Sequence, residues 1–346
     1  MQENPLSAPI QAWCQAHLQA TDGKISRVSP LRVEASHRQF FRLHTANRTL
    51  VLMLSPPHLE RNKAFHTLSA LLHEQGMPVP RIVAHQEHEG WFMMNDLGDV
   101  HLEQIYATPD KHRAIQAAIE LLPRLTAIQS PALEGYSGAR MDMEVRLFTE
   151  WFVGGLLKSK DPTQHASTRD VYNTAYAELV TAMLAQPRGC VHFDYHCRNI
   201  LFDMAQGQLG IVDFQDARHG PVMYDPASLL RDCYFAFSEA EVNQWLSYYR
   251  ELQPLLAGHS ADQVRYWFDM TAIQRQLKAV GIFARLYLRD GRASHLPTIS
   301  PVLARLSAQC GEHSQLQPFL MQLNSCIEKW SEISTMLNTD TAESHS

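Results

Sequence analysis

The run VHFDYHCRNILFD, residues 191–203, sets His192, Asp194, His196, Cys197, Arg198 and Asn199 among apolar neighbours. Two chemistries suit such a set. In the first, Asp194 and Asn199 act with Asp213, which stands at the end of the apolar run LGIVD. Phosphoryl transfer needs one carboxylate to orient an acceptor hydroxyl and take its proton. It also needs a second carboxylate and an amide oxygen to hold Mg²⁺, a hard cation that prefers oxygen, against nucleotide phosphates. A turn at MAQGQ brings Asn199 and Asp213 around one metal, with Asp194 facing the acceptor. In the second chemistry His192, Asp194, His196 and Cys197 bind zinc. In an extended run, however, residues 192, 194 and 196 share one face while Cys197 points away, and a fourth ligand at suitable spacing is missing. The first reading is preferred, with His192 as a buttress of the loop.

The elements that must position these residues read as an α+β chain. Residues 8–20 carry apolar side chains at helical spacing. From Ile25 to Leu54 the texture changes. ISRVSPLRVEA, QFFRLHT and RTLVLML read as strands, with TANR a hairpin turn between the last two. KAFHTLSALLHEQG reads as a helix ending on Gly76 and stopped by Pro78 and Pro80. PRIVAHQ and GWFMMNDL read as two more strands. After Gly98 helical patterns dominate, over 110–129, 141–159, 163–186, 226–236, 239–254, 260–289 and 315–336. The exception is the island 188–225, whose short β-like runs carry Asp194, Asn199 and Asp213. The expected organisation is an N-lobe over 1–96 that covers a nucleotide, a helical C-lobe over 97–336 with the catalytic loop and acceptor site, and a flexible tail over 337–346.

Composition narrows the function classes. Of 346 residues, 45% are hydrophobic and 19% charged, an ordinary soluble globular balance. A net charge of −6, with no block of five Lys/Arg, argues against nucleic-acid partners. No run approaches the roughly 18 apolar residues of a membrane span. The N-terminus lacks the cationic start and unbroken apolar core of a signal peptide. Six cysteines lie far apart without a CxxC pair, so neither a disulfide framework nor a zinc ribbon is expected. A cytoplasmic protein with a small-molecule partner is expected, and a monomer, since no long apolar surface stripe is evident.

The order HxDxxxxN, hairpin, strand-borne aspartate matches the kinase catalytic loop and metal aspartate. Further stretches add to it: SHRQFFRL (36–43), LVLMLSPP (50–57), VPRIVAH (79–85), NDLGD (95–99), EVRLFTEWFVGGLL (144–157), VDFQDARHGPVMYDPASLLRDCY (212–234) and IQRQLKAVGIFARLYLRDG (273–291). Together they resemble the aminoglycoside phosphotransferase and choline kinase superfamily over about residues 20–330. More narrowly, they look like the anomeric N-acetylmuramate/N-acetylglucosamine kinases of Gram-negative cell-wall recycling. The resemblance implies a protein-kinase-like bilobal fold, a small N-lobe with an antiparallel sheet and a larger, mostly helical C-lobe. It also implies ATP-dependent phosphorylation of an amino sugar at its anomeric hydroxyl. In that scheme Asp194 is the catalytic base, and Asn199 and Asp213 are the Mg²⁺ ligands.

The same resemblance assigns further residues. Ser36, Arg38 and Arg42 occupy the place of the nucleotide-covering loop, here without glycine. Met93 and Met94 fall at the hinge and would line the adenine slot, with Asp96 as a cap or a ribose contact. Arg198 would neutralise phosphate charge or pair with a carboxylate such as Asp216. Glu144, Arg146, Glu150 and Trp151 form a cluster on one helix, where Glu150 and Trp151 would meet the sugar. Arg218 is the candidate for the lactyl carboxylate of a muramic acid. Apart from the resemblance, Arg275 and Lys278 stand three apart on one helix; an anionic substrate is within their reach, and a solvated charged face is the expectation preferred.

One departure is conspicuous. Where such kinases carry a lysine on the third strand, this chain has Met53, and no obvious helix glutamate stands ready to pair with a lysine. Either arginines of the 36–42 loop replace it, or the chain is a nucleotide-binding pseudokinase serving as a scaffold. Intact Asp194, Asn199 and Asp213 favour an enzyme. Other acceptors, such as an aminoglycoside, choline or homoserine, stay open. A cationic acceptor would need carboxylates, whereas the segment after Asp213 offers Arg218 and His219.

Overall fold

QFFRLH and TLVLML alternate in burial because successive side chains of a strand point to opposite faces. In the computed structural model, which describes residues 5–31, 37–158 and 166–343, they pair as β2 (Gln39–His44) and β3 (Thr49–Leu54). The turn between them is closed by Thr45, whose N–H and hydroxyl both donate to the Arg48 carbonyl, at 3.0 and 2.8 Å. With β1 (Arg27–Leu31), β4 (Ile82–Gln86) and β5 (Trp91–Asn95) they form an antiparallel sheet in the order β1-β2-β3-β5-β4. The chain divides into two units, Met1–Leu133 with His192–Ala217 and Glu134–Val191 with Arg218–Ser346. The sheet belongs to the first.

Each face of the sheet is covered by one helix. Leu43, Leu50, Leu52 and Met93 pack with Leu6 and with Cys14 of α1 (Ala8–Ala16), and Trp13 meets Trp91 edge-on at 5.7 Å. On the opposite face Phe92 meets Phe65 of α2 (Asn62–Glu74), also edge-on, at 5.4 Å. Gly76, at φ +71°, closes α2 in the left-handed conformation that favours glycine. Beyond the sheet come α3 (Leu102–Ile105) and α4 (Lys111–Thr126). In chain order β6 (Arg188–Val191) then precedes the loop 192–199 and the hairpin β7 (Ile200–Asp203) and β8 (Gln208–Ile211). This hairpin belongs to the first unit and is bonded to the rest of it: Phe202 N–H donates to Val100 O, and Ile211 N–H to Pro78 O.

The second unit is helical, apart from β6 and its partner β9 (Arg218–Pro221). Its axis is the 30-residue α9 (Ala261–Asp290), against which α5 (Gly138–Leu147), α6 (Ala166–Leu184), α7 (Tyr224–Leu230), α8 (Glu239–Leu252) and α10 (Leu296–Gly311) all pack. The last helix, α11 (Gln317–Glu343), lies against α6 and α10. The helix expected over 141–159 is in fact two segments. After Leu147 the α5 pattern widens into a π-helical stretch, Phe148–Leu156. At that junction α9 presents Gly281, where a Cβ would stand 2.4 Å from the Leu147 carbonyl carbon. Only a hydrogen in place of a side chain lets the two backbones meet there. Among the described residues no helix is long and apolar enough to cross a membrane.

Candidate active site

The loop after β6 is held by its own polar groups. His196 N–H donates to the Asp194 carbonyl at 3.1 Å, Asn199 N–H to the His196 carbonyl at 2.9 Å, and Val212 N–H to the Asn199 carbonyl at 3.0 Å. The last of these ties the loop to the strand that delivers Asp213. Phe193 at φ +77° and Asp213 at φ +64° are non-glycine residues in the left-handed region. Such conformations cost about 1–3 kcal/mol and persist where the surroundings over-determine them. Tyr195 is fully buried and pins the loop to α4, its hydroxyl donating to Ala118 O at 2.8 Å.

Within this frame the expected trio comes together. Asn199 Nδ2 donates to the Asp194 carbonyl at 3.0 Å and to the Asp194 carboxylate at 3.2 Å. The amide nitrogen is thus committed to Asp194, and the amide oxygen is the atom suited to a cation. Asp213 keeps solvent contact yet is closely surrounded by protein. Lost hydration and the charge of Asp194 push its carboxyl above the usual range, against the pull of Gln215, Arg38 and His196. Two carboxylates raising each other's cost of ionisation, beside an amide oxygen, make a donor set that fits a hard divalent cation.

The zinc reading fails on hydrogen bonding. His192 is 1% exposed, its Nε2 lies 3.0 Å from the Val212 carbonyl, and Asp194 N–H donates to its Nδ1 at 3.3 Å. One ring nitrogen must therefore donate while the other accepts, which fixes the neutral tautomer and leaves neither for a metal. Among the described residues no three His, Cys, Asp or Glu side chains are placed to share an ion. Burial drives the His192 pKa down to about 4, partly opposed by the charge of Asp194. A group whose pKa is depressed on folding stabilises the fold while neutral. Its contribution is present above the unfolded value near 6.5 and is lost as pH falls toward 4. The stability difference between the parent and His192→Gln should therefore change by on the order of 3 kcal/mol between pH 6.5 and 4. Denaturant melts at both pH values read this directly, and a pH-independent difference contradicts it.

Arg198 pairs with a carboxylate that holds the loop, and that carboxylate is Glu103. Its Nε and Nη2 each lie 3.0 Å from a carboxylate oxygen of Glu103, a bidentate clasp between loop and α3. Asp216 instead receives Arg61 Nη1 at 2.8 Å. Glu103 carried no sequence signal, since it stands far back in the chain among other polar residues.

The residues expected around a nucleotide divide between the two faces of the sheet. Met53 pairs with Phe40 and Phe92, and Val51 with Arg42 and Met94, so these six share one face. Met93 pairs with Leu52 and packs on the α1 face. The two methionines thus point to opposite sides, and only Met94 shares the face of Met53. Arg42 grips Asp96 through Nε at 2.6 Å and Nη2 at 3.1 Å, and reaches Asp99 at 2.8 Å. Burial alone would push the Asp96 carboxyl up. Hydrogen bonds from Arg42, Thr49 and Gly98 N–H outweigh it and hold the carboxyl below its usual range. Arg38 is 6% exposed, with Nε 3.3 Å from Glu60 Oε2 and 3.3 Å from Ser55 Oγ. Ser36 lies outside the described residues.

The residues expected to meet the acceptor, Glu150, Trp151 and Arg218, lie in the helical unit. Glu150 is exposed on the π-helical stretch, and Trp151 packs partly buried against the core. Arg218 is 3% exposed on β9, its guanidinium 6.0 Å from the centre of the Tyr136 ring. Glu144 is buried beside the same Tyr136. It accepts Tyr136 Oη at 2.7 Å, Arg140 Nε at 2.8 Å and Lys278 Nζ at 3.0 Å. Burial opposes its charge, yet Lys278, Arg140 and Tyr136 hold its carboxyl below the usual range. Lys278 also donates to the Tyr224 hydroxyl at 3.2 Å, and Arg275 lies 4.4 Å over the Tyr224 ring and bonds Ser228 at 2.5 Å. These two cations therefore do not form the solvated face expected of them. The i, i+3 spacing on α9 was visible in the sequence, but the carboxylate and phenol that engage it come from distant segments.

The Phosphotransferase enzyme family model matches residues 27–263, more than half of the chain and all of the loop and hairpin just described. The chain belongs to this family. An N-acetylmuramate/N-acetylglucosamine kinase of Pseudomonas putida is 31% identical over 289 residues, covering 82% of this phosphotransferase and 83% of the relative. A protein of the same name from Neisseria meningitidis serogroup B is 30% identical, covering 82% and 86%. Among solved structures, an ADP-bound aminoglycoside phosphotransferase aligns with a TM-score of 0.59 over 86% of this chain and 97% of its own, at 17% identity. A choline kinase from Streptococcus pneumoniae aligns with a TM-score of 0.60 over 87% and 98%, at 14% identity. At that identity the likeness is one of fold, α+β and protein-kinase-like.

Proposed function

We propose that this phosphotransferase moves the γ-phosphoryl group of ATP to the anomeric hydroxyl of N-acetylmuramate or N-acetylglucosamine. The products are the sugar 1-phosphate and ADP. The observation that carries phosphoryl transfer is the direct contact of Asn199 with Asp194, in a loop bonded to the strand that presents Asp213. The acceptor class follows the names of the curated relatives. Asp194 orients the hydroxyl and takes its proton as the new O–P bond forms. The bond from phosphorus to the bridging oxygen of ATP breaks, and ADP carries away the electron pair. An anomeric hydroxyl is more acidic than an ordinary alcohol, so positioning is the larger share of that task. Asn199 and Asp213 would hold Mg²⁺, which neutralises charge on the phosphates. Residues 1–96 would cover the nucleotide, and Glu150, Trp151 and Arg218 are the acceptor-side candidates. A reducing cytoplasm and a monomeric state fit the scattered free cysteines and this small-molecule task.

The competing reading, a nucleotide-binding scaffold without turnover, draws on Met53, which is fully buried where a lysine is usual. Incubation with ATP, Mg²⁺ and N-acetylmuramate, followed by detection of a sugar 1-phosphate, separates the two. Release of ADP only with choline, an aminoglycoside or homoserine moves the assignment to another acceptor. Saturable ATP binding with no turnover on any acceptor gives the scaffold.

A further inference from the structure

Met53 removes a cation from a place where nucleotide phosphates need one, and the structure holds another cation close by. Continuing the β2–β3 register from Phe40↔Met53 and Gln39↔Leu54 sets Arg38 opposite Ser55. Its bond to Ser55 Oγ agrees with that placement. Arg38 and Phe40 are two residues apart in an extended run, so Arg38 points to the same side of the sheet as Met53. The charge is thus displaced by one strand and one pleat while staying on the same face.

A lysine in this position works only when a carboxylate holds it, and Arg38 has one. Glu60 stands just ahead of α2 rather than on it, 16% exposed, with Oε2 3.3 Å from Arg38 Nε. Its other oxygen accepts His37 N–H at 3.2 Å, so the same carboxylate braces the segment that carries Arg38. The support beneath is tight. Asn62 Nδ2 donates to Ser55 O at 2.8 Å, and Ser55 Oγ donates to Asn62 Oδ1 at 2.5 Å. Ser55 N–H donates to the carbonyl of Gly90, where a Cβ would stand 1.9 Å from Ser55 O.

The guanidinium also faces the right neighbours. It lies 5.5 Å from the centre of the Phe65 ring, and Phe65 stacks at 5.2 Å on Phe214, the residue after Asp213. Its charge reaches Asp213, where it favours the carboxylate. A guanidinium carries five N–H donors in a planar fork, so it can engage Glu60 and Ser55 through Nε and phosphate oxygens through the fork.

We infer that Arg38, clamped by Glu60, supplies the nucleotide-phosphate cation that kinases of this architecture carry as a lysine at the position of Met53. The inference rests on the reading of the chain as a nucleotide-dependent phosphotransferase. It adds a defined ligand, the α- and β-phosphates, and a positioning role for Glu60.

Titration calorimetry of the full chain with MgATP and, separately, with adenosine tests it. Arg38→Met should weaken MgATP binding about tenfold or more, the order expected for a lost charge-assisted contact, and leave adenosine binding unchanged. Glu60→Gln should weaken MgATP binding less, about three- to tenfold, by loosening the guanidinium. Met53→Lys placed in the Arg38→Met background should recover part of the loss, because the ammonium then arises on the same face. If Arg38→Met melts at room temperature, Arg38→Gln, which keeps a donor to Ser55 but no charge, replaces it with the same expectation. MgATP affinity unchanged in the uncharged variant, or an equal loss for adenosine, overturns the inference. Failure of the parent to phosphorylate any sugar removes the acceptor assignment instead, and this comparison stays readable because it scores nucleotide phosphates alone.

Discussion

Asp194→Asn should lower kcat by about 10²–10⁴-fold, the range for loss of a positioned general base, with little change in the affinity for MgATP. The substitution is nearly isosteric, and the Asp194 side chain is 44% exposed, so no core is disturbed. The Asp194 backbone carbonyl still accepts Asn199 Nδ2, and its N–H still donates to His192, so the loop keeps its frame. On the proposed reaction, what disappears is the proton acceptor and the negative charge that would orient the hydroxyl. Because an anomeric hydroxyl ionises more readily than an ordinary one, the residual rate should climb with pH as hydroxide takes over the proton. Initial rates between pH 6 and 10 read both the drop and the slope. Residual activity near the parent level would mean that the acceptor is deprotonated elsewhere, and Asp194 would lose its role.

The parts of this site that the sequence made legible are those set by local periodicity and spacing. The apolar runs QFFRLH and TLVLML around the TANR turn give β2 and β3, and Gly76 with Pro78 gives the end of α2. The spacing from Asp194 to Asn199, followed by a hairpin, brings those residues together because both ends of the hairpin are tied to the same loop. Where interactions skip along the chain, the sequence was silent or misleading. Arg198 had a carboxylate nearby in Asp216, yet the clasp comes from Glu103 on α3. Met93 and Met94 look like a pair, but adjacency in a strand sends them to opposite faces. The strands β6 and β9 are only four residues long, and RHGP offers no alternation to read. Helix α10 was hidden by Pro297 and Pro301, the first of which sits in the opening turn where a missing N–H costs little. The π-helical stretch begins where α9 crosses at Gly281, a tertiary contact with no local signature. Glu60 carries no such signal either, because the carboxylate that pairs with the cation stands in the turn before α2 and not on the helix.

Asp213→Asn should have the other large effect on the proposed reaction, a fall in kcat of on the order of 10³-fold at fixed Mg²⁺, as expected when a charge that would hold the metal against the phosphates is removed. Asparagine tolerates the left-handed φ of +64° that this position demands, so the backbone is spared, and Gln215 keeps an oxygen to bond. Asp213→Ala adds a backbone cost of about 1 kcal/mol to the same chemical loss. The two carboxylates of Asp194 and Asp213 disfavour each other when no cation lies between them. Removing one charge should therefore raise the melting temperature of the metal-free protein while abolishing the further rise that Mg²⁺ with nucleotide gives the parent. Activity and stability then move in opposite directions, a combination that a merely structural aspartate does not produce. Thermal melts with and without Mg²⁺ and ADP, run beside initial rates over a Mg²⁺ series, separate the two cases. An Asn variant that keeps both its rate and its Mg²⁺-dependent stabilisation removes Asp213 from the metal and, with it, the claim that this loop and hairpin form a phosphoryl-transfer centre.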